Sequence, residues 1–193
     1  QLTSLPSTKK ELESLAKRFK NKKLFLGRDA NESILSKNIL NDASIISFAT
    51  HAVEGISNNS YEVGLVLTPP IDDLADDDGL LTKSEISSLK LNYPTVILSA
   101  CNTSRGLYKG ANRYSGLTAG FFEAGANALI SSSWDLETNS ARVMSSLAME
   151  IATKESIPIG SAYNRAIREF INNPKYEQYS HPFYWAGFQT MGK

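Results

Sequence analysis

Residues 95–101 read Thr95-Val96-Ile97-Leu98-Ser99-Ala100-Cys101. Residues 44–50 read Ser44-Ile45-Ile46-Ser47-Phe48-Ala49-Thr50, with His51 directly after them. With Asn127 to Ser133 (NALISSS) they make three short apolar runs, rich in β-forming residues and without clean polar alternation. A strand with one wet face alternates apolar and polar side chains, so an unbroken apolar run predicts a strand covered on both faces. Gly64 to Thr68 (GLVLT) predicts another strand, and Leu24 to Leu26, ended by Gly27, a shorter one. Helical spacing of apolar residues marks Lys83 to Leu89, Gly116 to Ala124, Asn139 to Lys154 and Gly160 to Asn172. Nearer the start it marks Lys9 to Lys20, with Leu12, Leu15, Ala16 and Phe19 inward. It also marks Asn31 to Leu40, capped by Asn31 with Ile34, Leu35 and Ile39 inward. This alternation predicts an α/β layered domain around a mostly parallel sheet. Phe183 to Met191 (FYWAGFQTM) is expected to form a last strand, and Gly55 to Ser60 and Pro69 to Gly79 to be loops.

Composition narrows the classes. The chain has 193 residues, the size of one domain, and its 20 Lys+Arg balance 20 Asp+Glu. A net charge of zero argues against a general binder of nucleic acid or anionic membrane, which carries a basic excess. One Cys allows neither an intrachain disulfide nor a multi-cysteine zinc site. No apolar stretch approaches the roughly 18–20 residues of a membrane span, and no charged-then-apolar leader opens the chain. The expectation is a cytoplasmic domain, with Gln1 in place of Met marking a fragment or processed piece.

Two charged stretches invite ligands and have plainer readings. Lys17, Arg18, Lys20, Lys22 and Lys23 read as a solvated helix face and loop rather than an anion site. The acidic run Asp72, Asp73, Asp76, Asp77 and Asp78 resembles a calcium loop, but Leu74 stands at the first ligand position. Glu85, the last ligand in that register, has capping-box spacing from Thr82 and is more simply engaged in starting a helix. No metal and no cofactor is expected.

His51 and Cys101 each follow a predicted central strand. In open α/β sheets functional groups gather beyond the carboxyl ends of the strands, so parallel neighbours would present both residues on one rim. That arrangement suits a cysteine nucleophile whose thiol is activated by an adjacent imidazole. The competing reading is a buried thiol acting as a small hydrophobe, beside a hydrogen-bonded histidine.

The surrounding residues resemble the CHAT-domain peptidases, bacterial relatives of caspases and separases. The resemblance runs through FATHA (Phe48 to Ala52), GLVLT, DGLLTKSEISSLKL (Asp78 to Leu91) and VILSACNT (Val96 to Thr103). It continues in GLTAGFFEAGANALISSSWDLET (Gly116 to Thr138) and HPFYWAGF (His181 to Phe188), and so covers nearly the whole chain. It implies a caspase-like three-layer α/β/α sandwich, one domain over residues 1–193, excised from a longer chain. It also implies that Cys101 is the nucleophile and His51 its proton-transfer partner. Their separation of 50 residues fits the caspase spacing of about fifty. The backbone amides of Ala52 and Cys101 would form the oxyanion hole. Ala52 and Ser104 stand where the family pattern has glycine, which questions the local backbone angle at each.

By the same resemblance Ser131 to Thr138 would pair with an extended substrate peptide, with Ser133 in the pairing segment and Trp134 as a pocket wall. Asp135, or else Glu137, would be a pocket-floor carboxylate selecting Arg or Lys before the cut. The alternatives are a helix cap for Asp135 and a core position for Trp134. His181 is expected to be structural, holding the last strand near Phe183, Tyr184 and Trp185. The loop Asn102 to Ser115 carries Arg105, Lys109 and Arg113, so self-cleavage there competes with an uncut specificity loop. The function implied is a cysteine endopeptidase acting on a protein or peptide substrate after a basic residue. A helical-repeat or sensor module is the expected partner, with neither nucleic acid nor membrane bound directly. A non-enzymatic scaffold of the same fold is the alternative.

Overall fold

Successive residues of the central strands feed two separate cores. In the computed structural model, which describes residues 2, 5–37, 39–57, 60–69, 77–99, 114–132 and 138–192, strand β1 is Ile45–Phe48. Strand β2 spans Ala52–Ser57, β3 Ser60–Val66, β4 Leu80–Thr82, β5 Thr95–Leu98, β6 Ala128–Ser132 and β7 Phe188–Gly192. The helices are α1 (Pro6–Ala16), α2 (Lys83–Ser88), α3 (Tyr114–Glu123), α4 (Thr138–Glu155) and α5 (Ile159–Asn172). Ile46, Val96, Leu98 and Leu129 pack with Ile86 of α2 and Leu117 and Phe121 of α3. Ile97 and Ile130 pack with Met144, Ala148 and Met149 of α4 and with Ala162, Tyr163 and Phe170 of α5. Leu15 of α1 joins the second core. The alternation follows from the two-residue period of a strand. It makes a three-layer α/β/α sandwich with α2 and α3 on one face and α1, α4 and α5 on the other.

The main sheet runs β1-β5-β6-β7. β1, β5 and β6 are parallel, in the registers Phe48↔Leu98 and Leu98↔Ser131, and β7 closes the edge antiparallel to β6. A second sheet, β2-β3-β4, is antiparallel. The Thr82 capping box is present: its Oγ1 accepts from the Glu85 amide at 3.4 Å, and the Glu85 carboxylate accepts from the Thr82 amide at 2.7 Å.

Several expectations need correction. Leu24 to Leu26 forms no strand; the segment pairs with no strand among the described residues and enters a 3-10 turn at Gly27–Asp29, where Gly27 has φ +55°. The expected helix over Asn31 to Leu40 is a 3-10 segment, Glu32–Lys37. Local side-chain bonds there, such as Ser33 Oγ donating to Asn31 Oδ1 at 2.7 Å, compete with α-helical geometry. Gly55 to Ser60 belongs mostly to strands, because β2 runs to Ser57 and β3 starts at Ser60. The run GLVLT does fall on a strand, at the end of β3 in the antiparallel sheet. Phe183 to Met191 is divided: Pro182–Tyr184 is a 3-10 turn and the strand begins only at Phe188. Pro182 favours the first position of that turn, and the indole of Trp185 donates to the Ser180 carbonyl at 3.0 Å.

Candidate active site

The parallel pairing of β1 with β5 brings two chain exits to one rim. Past the last paired residues the Ser99 amide donates to the Phe48 carbonyl at 2.8 Å, so the two segments leave the sheet still joined. His51 lies three residues after β1, and Ser99 is the first residue after β5. β6, also parallel to β5, ends on the same rim at Ser132, which is buried.

His51 is held by its backbone. Its carbonyl accepts from the Val66 amide at 2.8 Å, and the hydroxyl of Thr50 donates to the Val66 carbonyl at 2.5 Å. One residue of β3 thus grips the His51 turn from both sides. His51 is buried, at 8% exposure. Burial of this kind restricts ring orientation, which a proton-transfer partner needs.

Ala52 opens β2 opposite Leu65, and its methyl lies in the core with Leu65 and Leu81. The Val66–His51 bond flanks this pair, so Ala52 and Leu65 are a non-hydrogen-bonded pair and the Ala52 amide is directed away from β3. Positive φ among non-glycine described residues occurs at Tyr93 and Ser156, not at Ala52. The glycine of the family pattern is therefore not required here for its backbone angle.

Cys101, Ser133, Trp134, Asp135 and Glu137 lie outside the described residues, as do Ser104 and the Arg105 to Arg113 stretch. Of the expected site residues only His51 and Ala52 are described; the exits of β5 at Ser99 and of β6 at Ser132 lie on the same rim. His181 is exposed and far along the chain from that rim; its Nδ1 accepts from the Phe183 amide at 3.2 Å and caps the Pro182–Tyr184 turn. Its role is thus structural, as a cap of the turn beside Phe183 and Tyr184; a hold on the last strand itself is not seen among the described residues. Asp78 similarly caps, accepting from the Leu80 amide at 2.8 Å, and no metal-ligating cluster occurs among the described residues.

Two further residues escape a reading of motifs. Val66 acts through its backbone and leaves no side-chain signal. Glu11 does leave one: it stands four residues before Leu15, on the inward stripe of α1, where a carboxylate is out of place. Burial pushes its carboxyl above the ordinary range, partly offset by a hydrogen bond from the Ser99 side chain.

A mostly parallel sheet between two helical layers, with a histidine after one central strand and its neighbour's exit alongside, is the caspase-like α/β/α architecture. The CHAT domain family model matches residues 1–193, so the chain belongs to the CHAT-domain family, which is related to the caspase-like peptidases. A comparison with curated proteins gives no match. Among the described residues no helix is long and apolar enough to cross a membrane.

Proposed function

We propose that the chain is a cysteine endopeptidase using Cys101 and His51 as a catalytic dyad. The observation that carries this reading is the Ser99–Phe48 bond between the exits of β1 and β5. Cys101 is two residues beyond Ser99 in the sequence, and two peptide units span at most about 7 Å, which supports the reading. The Cys101 thiolate attacks the scissile carbonyl carbon, and the amides of Ala52 and Cys101 receive the oxyanion. The carbon–nitrogen bond then breaks as imidazolium His51 gives its proton to the leaving amine. Water, deprotonated by His51, attacks the thioester, releasing the carboxylate product and the free thiol.

Specificity follows from the segment after β6. With Ser133 pairing to the substrate backbone and Trp134 forming a wall, Asp135 or Glu137 at the floor favours Arg or Lys before the cut. A peptide-library cleavage profile tests both parts. The expected result is cleavage after Arg or Lys, abolished in Cys101→Ala and His51→Ala and shifted away from basic residues in Asp135→Asn or Glu137→Gln. Absence of cleavage, together with thiol labelling by an Arg-bearing electrophile that is indifferent to His51→Ala, overturns the reading in favour of a scaffold.

A further inference from the structure

Strand β2 opens at the residue after His51 and stands at the edge of its sheet. The Val66 amide donates to the His51 carbonyl at 2.8 Å, and the register runs without a bulge from Ala52↔Leu65 to Ser57↔Ser60. In an antiparallel pair the bonded positions alternate, so Val53, Gly55 and Ser57 turn their amides and carbonyls toward β3. Ala52, Glu54 and Ile56 turn theirs the other way, and among the described residues no strand pairs with β2 on that side. The strand carries neither Pro nor Lys, residues that ordinarily blunt an open edge. The opposite edge of the same sheet, β4, is only three residues long.

The outward row that begins at Ala52 continues the proposed oxyanion site along the sheet. Its groups recur every second residue, about 6.6 Å apart, which is the repeat of any extended peptide laid beside it. We infer that this edge of β2 is a substrate-binding strand: the residues after the cut add to it in parallel, through backbone hydrogen bonds. The inference rests on the cysteine-peptidase reading, in which the Ala52 amide receives the oxyanion and the segment at Ser133 holds the residues before the cut. The row is then left to the leaving side, which runs from the oxyanion in the direction of β2. In such a ladder the carbonyl of the second residue after the cut accepts from the Glu54 amide. The amide of the fourth donates to the Glu54 carbonyl, and the carbonyl of the fourth accepts from the Ile56 amide. The substrate class this selects is a loop that stays extended for about four residues beyond the cut and has no Pro at the fourth.

The test varies the substrate backbone. Starting from the best peptide of the library profile, kcat/KM is measured for two forms. One ends a single residue after the cut as a dimethylamide, and the other continues for about five residues. The longer form is expected to be cleaved at least about tenfold better. N-methylation of its fourth residue after the cut, which removes a bonded amide hydrogen, should cost at least about fivefold. The same change at the third residue, whose amide faces away from β2, should stay within about twofold. Glu54→Pro removes the outward amide at a position an edge strand tolerates, and should bring the ratio of long to short peptide to within about threefold. Should Glu54→Pro fail to fold, the methyl scan with the wild type carries the test. Long and short peptides cleaved alike, equal losses at the third and fourth residues, or a long-peptide preference untouched by Glu54→Pro overturns the inference and leaves the peptidase reading standing. Absence of cleavage of every library peptide overturns the peptidase reading, and this inference with it.

Discussion

The Val66 amide donates to the His51 carbonyl at 2.8 Å while the Val66 carbonyl accepts from the Thr50 hydroxyl at 2.5 Å. The second sheet thereby holds the residue that the first sheet delivers. β1 alone could present His51 at the rim, but only at the end of an irregular stretch. Pairing with β3 fixes the backbone of that stretch. The antiparallel sheet thus acts as a brace for the site rather than as an extension of the core sheet.

Thr50→Val tests the brace, because it keeps the shape of the side chain and removes its donor. The Val66 carbonyl loses a partner in a half-buried place, so a loss of about 1 kcal/mol in stability is expected by urea denaturation. Alkylation of Cys101 should fall several-fold as His51 gains freedom, and Thr50→Ser should restore it. An unchanged alkylation rate in a less stable Thr50→Val protein would show that the bond serves the fold alone.

How far the sequence was legible can be argued from these same residues. Val96, Ile97 and Leu98 are buried in alternating cores, and an unbroken apolar run is what that burial demands, so the central strands could be read directly. β2 could not: its start coincides with the site motif at Ala52, and its Gly55 and the nearby Asn58 and Asn59 look like a turn. The hairpin owes its existence to pairing with β3, which is a tertiary fact. β4 is three residues long and is held by pairing to β3, so it carries no periodicity of its own. His51 was legible because a strand and a motif announced it. Glu11 was legible only as an oddity, a carboxylate on the inward stripe of α1; that it faces Ile97 and Ser145 is supplied by the fold alone.

The turn from α3 to β6 rests on one glycine. Gly125 has φ +109°, and a Cβ there would stand 2.5 Å from the Leu91 carbonyl oxygen. That carbonyl belongs to backbone held in turn by the Leu91 amide bonding to Ala124 O at 2.9 Å, so it has little room to yield. Gly125→Ala is therefore expected to destabilise by at least about 2 kcal/mol. Gly116, in α3, has open space around its Cβ position, and Gly116→Ala should stabilise by up to about 1 kcal/mol. Thermal melts of the two variants should move in opposite directions.

The capping box at α2 is the next weak point. Thr82 is buried, and its hydroxyl both accepts from the Glu85 amide and donates to the Glu85 carboxylate at 2.7 Å. Thr82→Ala should cost about 1–2 kcal/mol, at the upper part of the range for N-caps, because the Glu85 carboxylate loses a donor as well. Thr82→Ser keeps the cap and should cost less than half as much. Equal losses in Ala and Ser would assign the effect to the methyl group in the core instead.

Glu32 gives the protein a pH dependence opposite to that of an ion-paired acid. Burial first, then the neighbouring carboxylates of Glu85, Asp77 and Asp78, push its carboxyl up from 4.5 to about 7, against a lowering hydrogen bond from the Gly79 backbone. The folded state then holds this proton more tightly than the unfolded chain. Between pH 4.5 and about 7 the native protein binds the extra proton, so this site's contribution to stability falls as pH rises through that window. Below pH 4.5 both states are protonated and the penalty is absent; above about 7 it is fully present. Glu32 is half-exposed, so solvent screening reduces the cost to the order of 1 kcal/mol. Glu32→Gln removes the titrating group while keeping the side chain's shape. Urea denaturation at pH 8 should find the variant more stable than the wild type, and at pH 5 the difference should nearly vanish. A variant that is no more stable at pH 8, or a difference that is the same at both values, would mean that Glu32 is ionised in the fold at ordinary cost.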